Sequence, residues 1–170
     1  RGAGRLGGGD RVRPDPGHLP GPVLSLPVLI RLQAAASFVG VAGFALMFNG
    51  TGRMAMAAGT IGMIANLLRL ELIRVDLPPQ AAAAIAALLV GLLAAVAGPW
   101  LRVPRITLTV PAVLVMVPGV LLYRAIFAVS EGDAGAAVGT IAQAALVTMA
   151  LPIGLAISRM LTDRRWAFDR

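Results

Sequence analysis

The chain has 170 residues, 58% of them hydrophobic and only 14% charged, with a formal net charge of +7. A soluble domain carries about a quarter charged residues, so the composition points to a membrane protein. All the basic residues are arginines set between and outside long apolar runs, the placement of membrane topology rather than of a nucleic-acid surface, and the absence of cysteine excludes disulfides and thiol chemistry.

Residues 1–28 are rich in glycine, proline and arginine and carry no apolar period. They read as a disordered tail or a cut interdomain linker, and the start at Arg1 reads as a fragment or a processed product. His18 lies there with no second ligand candidate, so no metal site is implied. The first span is predicted over 29–48. Gly40 and Gly43 give it a close-approach face, and it ends in the turn signal Phe48-Asn49-Gly50. Gly50, Gly52 and Ala55 match G-x-G-x-x-A, with Glu71 following at the spacing of a dinucleotide fingerprint. That fingerprint needs a short strand before it, and the run before Gly50 has helix length, so a nucleotide site is rejected.

The second span is predicted over 53–73. Its uncharged part, Met54 to Leu68, is short for a bilayer, so Arg69 is expected to snorkel to the interface. Gly59, Gly62, Asn66 and Arg69 recur at spacings of three and four, which puts them on one helical face. Asn66 and Arg69 there either line a polar path or, in the case of Asn66, only bond a neighbouring helix. Glu71 is spaced to pair with Arg74 near the surface. After the turn at Asp76 to Pro79, the third span, 81–100, is an alanine-rich packing helix with Trp100 as an interface anchor.

The fourth span, 108–128, is centred on Pro118 and Gly119. Proline has no N–H to donate and its ring crowds the carbonyl four residues back, so the Leu114 carbonyl is expected to be freed. Two readings follow: a packed kink, or a broken helix at a transport site near the midplane. Tyr123 and Arg124 come about one turn from the far end, where Arg124 either snorkels or faces a polar cavity. The fifth span, 134–161, carries Gly135, Gly139 and Gln143 on one face and Pro152 as a kink, and a basic tail closes the chain over 162–170. The fold class is therefore all-α: a polytopic transmembrane bundle of five spans. With the C-terminus inside, Arg53, Arg102, Arg105 and the C-terminal arginines are cytoplasmic, which the positive-inside rule favours, although the arginines of the N-terminal tail oppose it.

Three runs carry a resemblance: GFALMFNGTGR from Gly43, GTIGMIANLLR from Gly59 and VPAVLVMVPGVLLYRAIF from Val110. Together, over about Leu29 to Leu161, they resemble the smaller, purely transmembrane half of the threonine/serine exporter family. The resemblance implies an integral inner-membrane protein that exports small hydroxy-amino acids with energy from the proton gradient. It also implies an oligomer with a larger partner half, fused upstream or separate, and no cofactor. Some relatives look linked to dicarboxylate export, and a structural subunit that does not touch substrate is a further alternative. No span holds a cysteine, a histidine or paired carboxylates, so an enzyme is not expected. The substrate-binding candidates are Pro118, Gly119, Asn66, Arg69, Gln143, Tyr123 and Arg124, chosen from the residues themselves.

Overall fold

The computed structural model describes residues 25–163, all in helices and short turns. The expectations for residues 1–24 and 164–170, His18 included, lie outside the described residues. The helices are α1 (Leu26–Met47), α2 (Gly52–Arg74), α3 (Pro79–Leu101), α4 (Arg105–Leu114), α5 (Gly119–Ser130) and α6 (Ala134–Thr162). Five stretches are long and apolar enough to cross a membrane, with α4 and α5 together making the fourth.

Local chemistry sets the boundaries. The first span starts earlier than expected, at Leu26, because Pro27 sits in the first turn of α1, where a missing N–H breaks no helical bond. The turn after α1 places Asn49 at φ 60°, a conformation that asparagine tolerates better than most residues. The Gly50 N–H then donates to the Ala45 carbonyl at 2.9 Å. A Cβ on Gly50 would lie 2.6 Å from that oxygen, so only glycine fits. At the start of α6, the Asp133 carboxylate accepts from the Ala136 N–H at 2.9 Å and caps the helix. The glycine-rich turn at Gly50 joins two membrane-length helices, which agrees with rejecting a nucleotide fingerprint there.

Packing is built on small residues. Gly62 of α2 faces Val41 of α1, and Gly59 faces Phe38. Gly154 of α6 faces Ala84 and Ala87 of α3, while Gly91 of α3 faces Ser158. The α3–α6 contacts advance in the same sense along both helices, so α3 and the second half of α6 run parallel and pack closely. Helix α4 packs against α1, α2 and α3, whereas α5 packs against α6. The buried core, including Val41, Ala65, Val90, Leu108, Met116 and Leu151, therefore sits among α1 to α4 and the second half of α6. By contrast, α5 buries only Ala125. The part of α6 before Val147 buries only Ala137 and Ala144. These two segments form a hairpin that stands off the bundle.

Candidate functional site

The break in the fourth span is the centre of the site. At about 1.5 Å per residue, α4 and α5 are each about half the thickness of a bilayer core, so the break divides the fourth apolar stretch near its middle. Pro118 cannot donate, and at φ −78° and ψ 58° it turns the chain sharply. The Gly119 N–H bonds back to the Val117 carbonyl at 2.8 Å, closing a three-residue turn. The end of α4 tightens as well: Met116 N–H donates to Val113 at 2.9 Å and Val117 N–H to Leu114 at 3.2 Å. The Leu114 carbonyl is thus occupied rather than free, because a tightened last turn gives the orphan acceptors nearer donors. Two donors at the start of α5, the N–H groups of Val120 and Leu121, have no backbone acceptor.

Helix α2 supplies the polar wall. The Arg69 guanidinium donates through Nη1 to the Met116 carbonyl at 3.0 Å, so an arginine holds the break. Arg69 therefore does not snorkel outwards. A helical side chain leans towards the N-terminus of its helix, and for α2 near its end that direction is the membrane interior. One turn deeper, Asn66 is buried and donates through Nδ2 to Ser37 Oγ of α1 at 2.8 Å. Glu71 pairs with Arg74 at 2.7 Å, as its spacing suggests, which leaves it unavailable to Arg69. Three buried polar atoms near this wall have no partner among the described residues: Gln33 Oε1, Asn66 Oδ1 and Arg69 Nε.

Asn66, Arg69 and the break at Pro118 are thus brought together. Pro118 is buried and Gly119 exposed. Tyr123 and Arg124 lie exposed on α5, where the Tyr123 and Phe127 rings stand 6.1 Å apart. Gln143 is exposed on α6. The structure does not bring these three to the break. Gln33 and Ser37 are the residues that sequence reasoning passed over. Their spacing of four within an apolar run marks one polar face of α1, and that signal is present in the sequence. Away from the break, Arg105 ties α4 to its neighbours by donating to the Gly91 carbonyl at 3.1 Å and to Thr162 Oγ1 at 2.7 Å. A cleft of 540 Å³ lies beside it, between Gly91, Ser158 and Asp163. This cleft reaches Thr109 and Val110 of α4 but is not lined by Asn66, Arg69, Met116 or Pro118.

A family model described as Threonine/Serine exporter, ThrE matches residues 33–161, which include every residue of the polar wall and the break. Comparison with curated proteins and with solved structures gives no match.

Proposed function

Because the chain belongs to the threonine/serine exporter family, we propose that the break in its fourth span is where threonine or serine is held on the way across the membrane. The observation that carries this reading is the meeting of a mid-span break with the polar face of α2. The end of α4 is the negative end of a half-helix dipole and the start of α5 the positive end. A free amino acid carries an ammonium and a carboxylate on one carbon, and the two ends suit those charges, as in other membrane sites built on discontinuous helices. The unpaired N–H groups of Val120 and Leu121 are donors for an anionic group. Asn66 is placed to bond a substrate hydroxyl.

In this reading the protein works in the bacterial inner membrane, draws on the proton gradient and acts with a larger partner half. Tyr123, Arg124 and Gln143 sit on the α5–α6 hairpin, and their role in this reading is contact with that partner rather than with the substrate. A dicarboxylate is the less favoured cargo, since Arg69 is the one arginine brought to the break among the described residues. A cysteine at Ser130, in the turn after α5, should react with an impermeant reagent from outside if the C-terminus is cytoplasmic. Reaction only after the membrane is opened would reverse the topology.

The test is Pro118→Ala combined with Gly119→Ala. A Cβ on Gly119 meets nothing within 4 Å, so the change acts through the backbone rather than through a clash. A continuous fourth helix should abolish threonine export while membrane insertion and partner association persist. Wild-type export in the double variant would place the site elsewhere.

A further inference from the structure

Resting on the exporter reading, we propose that Arg69 is the receptor for the substrate's carboxylate, and that binding exchanges its partner. The guanidinium leaves the Met116 carbonyl for the carboxylate, and the carbonyl so released accepts from the substrate's ammonium.

The charge at Arg69 calls for such a ligand. A cation inside a membrane is ordinarily matched by an anion. Arg69, half-buried, has a neutral carbonyl instead. The acids of the described residues are Glu71, Asp76, Glu131, Asp133 and Asp163, which lie in turns or near helix ends, and Glu71 is already paired with Arg74. The donor geometry also fits. A guanidinium offers its N–H groups as a planar fork that a carboxylate meets with both oxygens. Nη1 is engaged by Met116, and Nε is buried without a partner. A carboxylate on the Nε side meets Nε and Nη2 together, and its charge then draws the guanidinium away from the neutral Met116 carbonyl.

The neighbours supply the complementary half. Helices α1 and α2 are antiparallel, and Ser37 bonds Asn66. Gln33, one turn earlier on α1, is therefore level with Arg69, one turn later on α2. Each has a buried atom without a partner, an acceptor on Gln33 and a donor on Arg69. A molecule that satisfies both carries an acceptor and a donor close together, and an amino-acid zwitterion does so while bringing an anionic group to the arginine. Asn66, one turn deeper, has one end of its amide on Ser37 and the other unpartnered, which suits a hydroxyl. The same arrangement selects against a dicarboxylate. A zwitterion adds no net charge to the site, whereas a second carboxylate would face the neutral acceptors of Gln33, Asn66 and Met116.

The exchange has a mechanical consequence. The Arg69–Met116 bond ties α2 to the break, and beyond the break α5 packs against α6. Binding of a carboxylate removes that tie and leaves the second half of the fourth span freer to move with the first half of α6.

The experiment measures binding of threonine and of threoninamide to the exporter purified with its membrane partners. Threoninamide keeps the ammonium and hydroxyl but has no carboxylate. The wild type should prefer threonine. Arg69→Gln should weaken threonine by roughly 10- to 100-fold, the scale of a lost charge-assisted bond, and leave threoninamide unchanged. Arg69→Lys should restore part of the preference. Equal weakening of both ligands, or an unchanged preference, would overturn the proposal and leave Arg69 a structural or water-bonded group. A second readout avoids any variant at Arg69: a single cysteine at Val117, beside the Met116 carbonyl, in the otherwise cysteine-free chain. Its labelling rate should change with threonine and not with threoninamide; a response to both, or to neither, contradicts the exchange. Tighter binding of a small dicarboxylate than of threonine would also overturn it. If the wild type does not move threonine at all, the exporter reading fails and takes this inference with it. If it does, and Arg69→Gln keeps its preference, only the inference fails.

Discussion

The bundle and the hairpin are made from the same kind of sequence and end in different states. Both are apolar and both carry glycines at helical spacing. In the bundle, a Cβ on Gly59, Gly62, Gly91 or Gly154 would run into the facing helix. In the hairpin, a Cβ on Gly119 or Gly139 would meet nothing within 4 Å, and one on Gly135 only its own neighbour Asp133. Lipid is as apolar as leucine, so hydrophobicity does not pull membrane helices together. Close packing and polar bonds do. The bundle has both, through its glycine seams and through Ser37–Asn66 and Arg69–Met116. The hairpin has neither, and the break is the joint between the two. A site at that joint has one wall fixed and one wall free, which suits a carrier better than a uniformly packed bundle.

The contrast is broken most severely at Gly154. A Cβ there would lie 2.2 Å from the Ala84 backbone carbonyl, which has no rotamer to escape to. Gly154→Ala should cost about 1–3 kcal/mol or more, the scale of overpacking, and should lower the thermal midpoint in detergent. Gly91→Ala should cost a similar amount, because its Cβ would lie 2.5 Å from the Ser158 Cβ, which no rotamer change moves. Gly139→Ala in the hairpin should leave the midpoint unchanged. Equal losses at Gly154 and Gly139 would erase the distinction.

A smaller effect is expected from the polar seam. Asn66→Ala removes the bond to Ser37, and interhelical bonds in membranes average about 0.6 kcal/mol, reaching about 1.7. Unfolding in mixed detergent should show a loss in that range, and a larger fall in threonine transport than the stability loss explains. A stability loss with unaltered transport would make Asn66 structural only.

The smallest effect on the chain itself is expected at Gln143. It is exposed on α6 and bonds nothing among the described residues, so Gln143→Leu should leave stability unchanged. If the hairpin docks on the larger half, co-purification of that half should weaken. Transport by this chain alone in vesicles would remove the need for any such partner.

Much of this was legible in the residues, for reasons that also show the limit. Four uncharged runs of bilayer length and one shorter run, Met54 to Leu68, declare five spans, and proline followed by glycine at the centre of the fourth declares a weak point. The spacing of Asn66 and Arg69 places them on one face. What the sequence does not encode locally is which helix meets that face. A helix that is apolar all round gives no moment to orient it. The glycines of the hairpin therefore read like those of the bundle, and the standing-off of α5 is invisible before the helices are assembled. The inward aim of Arg69 depends on the direction of α2 through the membrane as well as on its distance from the helix end. The fate of the Leu114 carbonyl depends on a tightened turn that the proline rule does not describe. Gln33 and Ser37 were readable and were missed, because polar residues that are neither charged nor next to glycine or proline attract little notice in an apolar run.

The central claim is that the fixed wall of α1 and α2 at the break, and not the outer face of the hairpin, holds the substrate. Single cysteines at Ser37 and at Gln143 test it directly, since the chain has no cysteine of its own. Modification of each by a small thiol reagent is timed in membranes with and without threonine. Threonine should slow modification at Ser37→Cys and leave Gln143→Cys unaffected. Protection at Gln143→Cys with none at Ser37→Cys would contradict the account.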